Sequence, residues 1–203
     1  MAFPSDRVQR GFNLIELVVT LAVLGALVLL GAPPLLRGTD DLRLHMAAGE
    51  VAGVLRMSRS FALRYGSNVA VKFRTDPRGA VTFAVYRDGD GDGVLNRDID
   101  SGTDPQVVPP QGLRFFGRDV GFGFPPGPAP MDPGSPGHRM DRLDDPIRFN
   151  DSDLASFGSL GTSTPGSVYL RNGSGHLMAV RVLNRTGKVG MISYDAQRRV
   201  WRD

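Results

Sequence analysis

Three groups of residues have the types and spacing to do chemistry. The first is Asp88-Gly-Asp90-Gly-Asp92-Gly93-Val-Leu-Asn96-Arg-Asp98. Carboxylates at alternate positions converge on one hard cation when the loop curls round it, and Gly93 supplies the sharp turn. Asp88, Asp90, Asp92, Asn96 and Asp98 are thus the candidate ligands, and Ca2+ the candidate ion. The alternative is a solvated Asp-Gly hairpin loop, against which stands the mutual repulsion of three alternating aspartates without a counter-ion. The second is Glu16, a carboxylate in a run from Leu14 to Ala32 that is otherwise broken only by Thr20. A charge at that depth in hydrocarbon costs about a few kcal/mol and marks a function. The third is Arg198, Arg199 and Arg202 beside Trp201, cations for phosphates with an aromatic for stacking. The alternative there is a basic edge strand that resists aggregation.

No catalytic centre assembles. His45, His138 and His176 are isolated, no serine lies in a G-x-S-x-G elbow, and no phosphate-binding glycine loop follows a strand. An enzyme is not expected. With no cysteine, disulfides and thiolate metal sites are ruled out. The net charge of +3, from 24 basic and 21 acidic residues, implies no nucleic-acid partner by itself. The 203 residues make one domain with appendages, and 26 Gly with 15 Pro point to many turns and short strands.

The element that must position Glu16 is an apolar helix. Counted from Phe12 to Leu36 it would be about 37 Å long, enough to cross a hydrocarbon core of about 30 Å. Arg7 and Arg10 precede it and should stay cytoplasmic, with the rest of the chain across the membrane. A secretory signal has the same layout. Against it stand the carboxylate in the first turns, the lack of an A-x-A-like site after the run, and helical periodicity that resumes beyond it.

Gly11-Phe12-Asn13-Leu14-Ile15-Glu16 followed by an apolar helix resembles the class III signal of type IV pilins and type II secretion pseudopilins. The resemblance implies that a prepilin peptidase cuts between Gly11 and Phe12 and that Phe12 is then methylated. Pro33 falls where the family often has a proline, and Asn13 departs from the more usual Thr or Ser. In the family's terms Glu16 meets the fresh N-terminal amine of a neighbouring subunit, a cation in the same apolar layer. A glutamate that reaches back to water at the lipid surface is the other reading. The implied partners are other pilins or pseudopilins, the peptidase and the bacterial inner membrane. The chain would be single-pass with its globular part in the periplasm, before joining a pilus or pseudopilus.

Past Arg37-Gly38-Thr39 the pattern turns amphipathic, with Leu44, Ala47, Ala48, Val51, Leu55, Ser58, Ala62 and Tyr65 at spacings of three or four. Pro33-Pro34 should kink or locally melt the join, and Gly66 should stop the helix. A period of two follows. Asn68–Arg74 and Val81–Arg87 read as a hairpin around Asp76-Pro77-Arg78-Gly79, with later strands at Leu113–Phe116, Pro146–Phe149, Ser167–Arg171, His176–Leu183 and Lys188–Tyr194. Residues 117–137, rich in Gly and Pro, read as a long surface loop. Ser58–Gly66 leading into Val69-Ala-Val71 resembles the start of the GspH/FimT-type globular domain.

The expected fold is α+β, a long N-terminal helix on an antiparallel β-sheet or sandwich. Its parts are a leader at 1–11, a helix at 12–66 (transmembrane about 14–36, amphipathic 40–65) and a β-rich domain at 67–203. The resemblance implies a minor structural subunit of a type II secretion pseudopilus or type IV pilus. Some FimT-like minor pilins bind DNA through basic residues near the C-terminus, which would make this a DNA-binding subunit for uptake. The acidic loop is similar to EF-hand-like and dockerin-like loops, which put an apolar residue into the core where Leu95 stands. It departs from them at Ile99, where a bidentate acid belongs, so Asp98 would close a shorter loop.

Overall fold

The computed structural model describes residues 13–135 and 137–203, and of residues 29–38 only the backbone class. The chain divides into two compact units, Met1–Thr39 and Asp40–Asp203. Helix α1 runs from Leu14 to Tyr65, 52 residues. Asn13 Oδ1 accepts the Ile15 N–H at its start, and Gly66 ends it in a left-handed conformation, φ +62°. The leader and the Gly11–Phe12 bond lie outside the described residues, whereas the backbone at Pro33-Pro34, expected to kink or locally melt, is helical within α1.

In the first unit every described side chain, from Asn13 to Val28, is exposed. The apolar stretch with described side chains is about 24 Å long. Among the described residues no helix is long and apolar enough to cross a membrane.

The second unit is built as the periodicities require. Leu44, Ala47, Ala48, Val51, Ala52, Val54, Leu55 and Ala62 of α1 are buried on one stripe, packed against two antiparallel sheets. The first sheet has the order β3-β2-β1-β6, from Gln106–Gly112, Val81–Arg87, Val69–Thr75 and Leu154–Phe157. The second runs β10-β9-β8-β7-β4, from Val200–Arg202, Lys188–Asp195, Leu177–Leu183, Gly166–Arg171 and Gly121–Phe122, with β5 (Ile147–Arg148) also paired to β7. Phe73 faces Phe83 in the β1–β2 register, and Phe149 stacks on Phe73 with centroids 6.0 Å apart.

Both sheets are covered on their outer faces too. Alternate residues of the first sheet, Ala70, Ala84, Tyr86 and Leu154, receive Val94 and Ile99, on the acidic loop and on helix α2 (Asn96–Ser101). Tyr169, Leu177 and Ala179 of the second sheet lie beneath Met140 and the half-buried Phe124, Leu143 and Trp201. Burial on two faces is why β7 and β8 read as almost continuous apolar runs.

Several expectations hold. The β1–β2 hairpin turns at Asp76, whose Oδ1 accepts the amides of Arg78 and Ala80 at 2.8 Å each, and β8–β9 turns at Asn184–Gly187, both residues with positive φ. Others change. Leu113–Phe116 is a 3-10 helix and not a strand, because the strand precedes it: β3 contains Pro109 and Pro110. A strand with two prolines is tolerated at an edge, and β3 is an edge. The segment expected as a surface loop contributes β4 and the buried Val120, and with Phe124 helps to cover the second sheet.

Candidate functional site

The acidic segment begins where β2 ends. Asp88 is 7% exposed, and its carboxylate accepts the Asn68 amide at 2.6 Å, the Gly91 N–H at 2.6 Å and the Gly93 N–H at 3.0 Å. Burial pushes this carboxyl up, but those donors outweigh burial and hold it below its ordinary value. Asp104, only 1% exposed, accepts Gly89 N–H through one oxygen and Leu95 N–H through the other, each at 3.0 Å. Two buried aspartates therefore pin the loop from inside.

The remaining acids of the loop are arranged differently. The carboxylate oxygens of Asp90, Asp92 and Asp98 lie within 4.8 Å of one another, and so do those of Asp88, Asp90 and Asp104. Arg97 bridges Asp92 at 2.7 Å and Asp98 at 3.2 Å, which raises its own pKa, the bond to Asp98 contributing most. Asp92 is pushed above the ordinary carboxylate value, by desolvation first and then by Asp90 and Asp98. Asp90, Asp92 and Asp98 are close enough together to share a cation, as are Asp88, Asp90 and Asp104, with Asp88 as the fixed base of the loop. Asn96 donates its Nδ2 to the Ser152 carbonyl at 3.2 Å. The apolar residues that seat the loop are Val94 and Ile99 rather than Leu95, which is half-buried. This corrects the expectation at Leu95, and α2, starting at Asn96, is the cause, since it turns Ile99 onto the sheet.

Sequence spacing did not single out Asp104 or Asn68 as loop residues. Asp104 lies past α2, and its role depends on the chain returning beside Gly89. The charge density of residues 88–104 is the only trace of it in the sequence.

At the C-terminal edge, β10 pairs Trp201 with Tyr194. Trp201 is half-buried, its Nε1 donates to the Met131 carbonyl at 2.6 Å, and its ring meets Tyr194 at 5.0 Å. The aromatic expected to be free for stacking is committed to the fold. Arg202 and Arg198 both reach Asp195, at 3.2 Å and 3.8 Å. Asp195 is held below the ordinary range, chiefly by the backbone N–H of Arg198, then by the two guanidiniums. Arg199, in the turn at φ +57°, forms no ion pair among the described residues.

Glu16 lies in the first turn of α1, where the helix dipole favours a carboxylate. Its side chain has no hydrogen-bond or ion-pair partner among the described residues, and Leu14 and Ile15 beside it are 81% and 66% exposed. Gly11 and Phe12 lie outside the described residues, and of Pro33 only the helical backbone is described.

No known protein-family profile matches the chain, and no curated protein does. Two solved structures of the minor pseudopilin EpsH from the type 2 secretion system of Vibrio cholerae are similar to it. The first has a TM-score of 0.45 at 11% identity, covering 74% of this chain and 97% of that one. The second has a TM-score of 0.45 at 12% identity, covering 75% and 94%. This similarity lies below the level that would decide a shared role.

Proposed function

We propose that the chain is a minor structural subunit of a bacterial type II secretion pseudopilus or type IV pilus. Prepilin peptidase cuts between Gly11 and Phe12, and the helix over about 14–36 anchors the subunit in the inner membrane with its β-rich part in the periplasm. On assembly, Glu16 meets the N-terminal amine of a neighbouring subunit. The observation that carries this reading is the surface of α1 from Leu14 to Val28. Its Leu, Ile and Val side chains are all more than half exposed, from Leu17 at 51% to Leu14 at 81%. A helix apolar all round is not stable against water and takes its cover from lipid or from other helices. Glu16 is the one acid in that surface, and a carboxylate desolvated there requires a cation.

The experiment is incorporation. Fibres sheared from cells should contain the wild-type chain, and Glu16→Ala should reduce its content at least about tenfold, the factor that 1.4 kcal/mol of lost pairing gives. Equal incorporation of the two would remove Glu16 from assembly. A DNA-uptake role would draw on Arg198, Arg199 and Arg202. With Trp201 committed and Asp195 shared by two of the three arginines, the geometry favours the structural subunit.

The acidic loop is proposed as a structural calcium site. What supports it is the mutual proximity of Asp90, Asp92 and Asp98 and the upward push that the neighbouring acids exert on Asp92. Bound there, Ca2+ would neutralise the three carboxylates and stiffen the loop. Calorimetric titration with Ca2+ should give saturable heat and a raised melting temperature, both lost in Asp90→Asn/Asp92→Asn. No heat and no shift would end the idea.

A further inference from the structure

A cavity of about 520 Å³ opens where the start of β2, the 3-10 helix Leu113–Phe116 and β4 meet. Its apolar lining includes the buried Val81, Leu113 and Val120, and its charged lining is Arg114, Arg118 and Arg171. No acid is among the lining residues. The three guanidiniums form no hydrogen bond or ion pair among the described residues, whereas Arg97, Arg148, Arg198 and Arg202 each meet an aspartate. Asp119, next to Arg118, lies against Gly173 instead. The backbone brings the arginines together. Gly117, at φ +116°, turns the chain between Arg114 and Arg118, and Gly121 of β4 pairs with Arg171 at the end of β7. Three cations sharing one cavity repel one another until an anion joins them. Guanidiniums present forked donors that match the oxygens of a phosphate.

Two observations select the source of that phosphate. Phe115, beside Arg114 on the 3-10 helix, is 92% exposed. A large apolar side chain in water next to cations is the pairing that a membrane surface takes up. The second observation is position. Arg43 belongs to the first turn of α1 inside the second unit and lies over Gly117, where a Cβ would be 3.7 Å from Arg43 Cδ. It stands seven residues past Leu36, so chain length alone keeps it within about 25 Å of the end of the span proposed at 14–36. We infer that the cavity binds the phosphate of an anionic phospholipid headgroup, with Phe115 entering the acyl boundary beside it. A free phosphate would meet the same arginines and leave Phe115 in water. This rests on the membrane anchorage proposed above and gives the subunit a second hold on the bilayer before it joins a fibre.

The test uses the full chain reconstituted in phosphatidylcholine vesicles with or without phosphatidylglycerol. The chain has no cysteine, so Phe115→Cys and Leu160→Cys each carry a single fluorophore. Leu160 is the control: it is 93% exposed, and its neighbour Gly161 lies beside Leu63, about 30 Å along α1 from Arg43. Spin-labelled lipid should quench position 115 at least about fivefold more with phosphatidylglycerol than without, the factor that one arginine at an anionic surface gives. Position 160 should stay unquenched, and salt should weaken the effect at 115. Arg114→Glu/Arg118→Glu, both at exposed positions, should abolish the difference with the circular dichroism unchanged. Equal quenching with and without phosphatidylglycerol, equal quenching at 115 and 160, or indifference to the charge reversal overturns the inference. Inorganic phosphate that shifts the fluorescence at 115 while phosphatidylglycerol leaves it unquenched overturns the lipid as its source. Flotation reads the anchorage separately. A chain that floats but stays unquenched at 115 overturns the cavity alone, and one that floats with neither vesicle overturns both readings.

Discussion

The carboxylate of Asp104 accepts the backbone N–H of Gly89 through one oxygen and that of Leu95 through the other, at 3.0 Å each. Asp104→Ala leaves both amides without an acceptor and should cost about 1–3 kcal/mol, measured by denaturant unfolding. Asp100, exposed and paired only to Arg74 at the surface, should lose no more than about 1 kcal/mol on the same change. Asp88 gives a pH signature. Its folded value lies below the ordinary 3.8, so its contribution is present above that pH and is lost as pH falls through 3.8 toward the folded value. Asp153, raised by burial against the pull of Lys72, acts in the opposite sense. The comparison with Asp88→Asn isolates the Asp88 term: the stability gap between it and wild type should narrow as pH drops below 3.8. These residues were only partly legible. The alternating aspartates announced a loop with Asp88 at its base. What the spacing could not supply was the closing partner, because Asp104 returns to Gly89 only through tertiary structure.

At the scale of elements, the strands announced by alternating or continuous apolar runs were legible to within a residue or two. The short strands β4, β6 and β10 and the proline-bearing β3 were not, since their pairing comes from neighbours rather than from their own pattern. The calcium-like loop was read with the wrong seating residue for a related reason: α2 rotates Ile99, not Leu95, onto the outer face of the first sheet. Backbone approach is a further feature that no pattern reveals. Gly89 sits against the Thr103 carbonyl with no room for a Cβ. Gly89→Ala should therefore force the two segments apart and cost at least about 1–3 kcal/mol, with the Asp104 bonds disturbed as well. Leu55, fully buried where α1 meets the sheets, should cost about 2–5 kcal/mol as Leu55→Ala. Leu160→Ala, at 93% exposure, should cost less than about 0.5 kcal/mol. Equal losses at Leu55 and Leu160 would contradict the placement of the core.

Over the whole molecule, two kinds of surface stand out. One is the helix from Leu14 to Val28, apolar and exposed, with Glu16 in its first turn. The other is a two-sheet body whose outer faces are covered by its own loops, with a basic edge where Arg198 and Arg202 pair with Asp195. The first was legible from composition and spacing, because an unbroken apolar run needs no tertiary information to be recognised. The second was not, because which arginines end up paired depends on where β10 docks. The first surface carries the proposal that the chain is cut at Gly11–Phe12 and assembles by its helix. Intact-mass and N-terminal analysis of the chain, expressed with and without prepilin peptidase, tests it most directly. The expected result is a peptidase-dependent product that begins at N-methylated Phe12 and is abolished by Gly11→Val. A chain that keeps its first eleven residues beside an active peptidase, or is cut beyond Ala32, would contradict it.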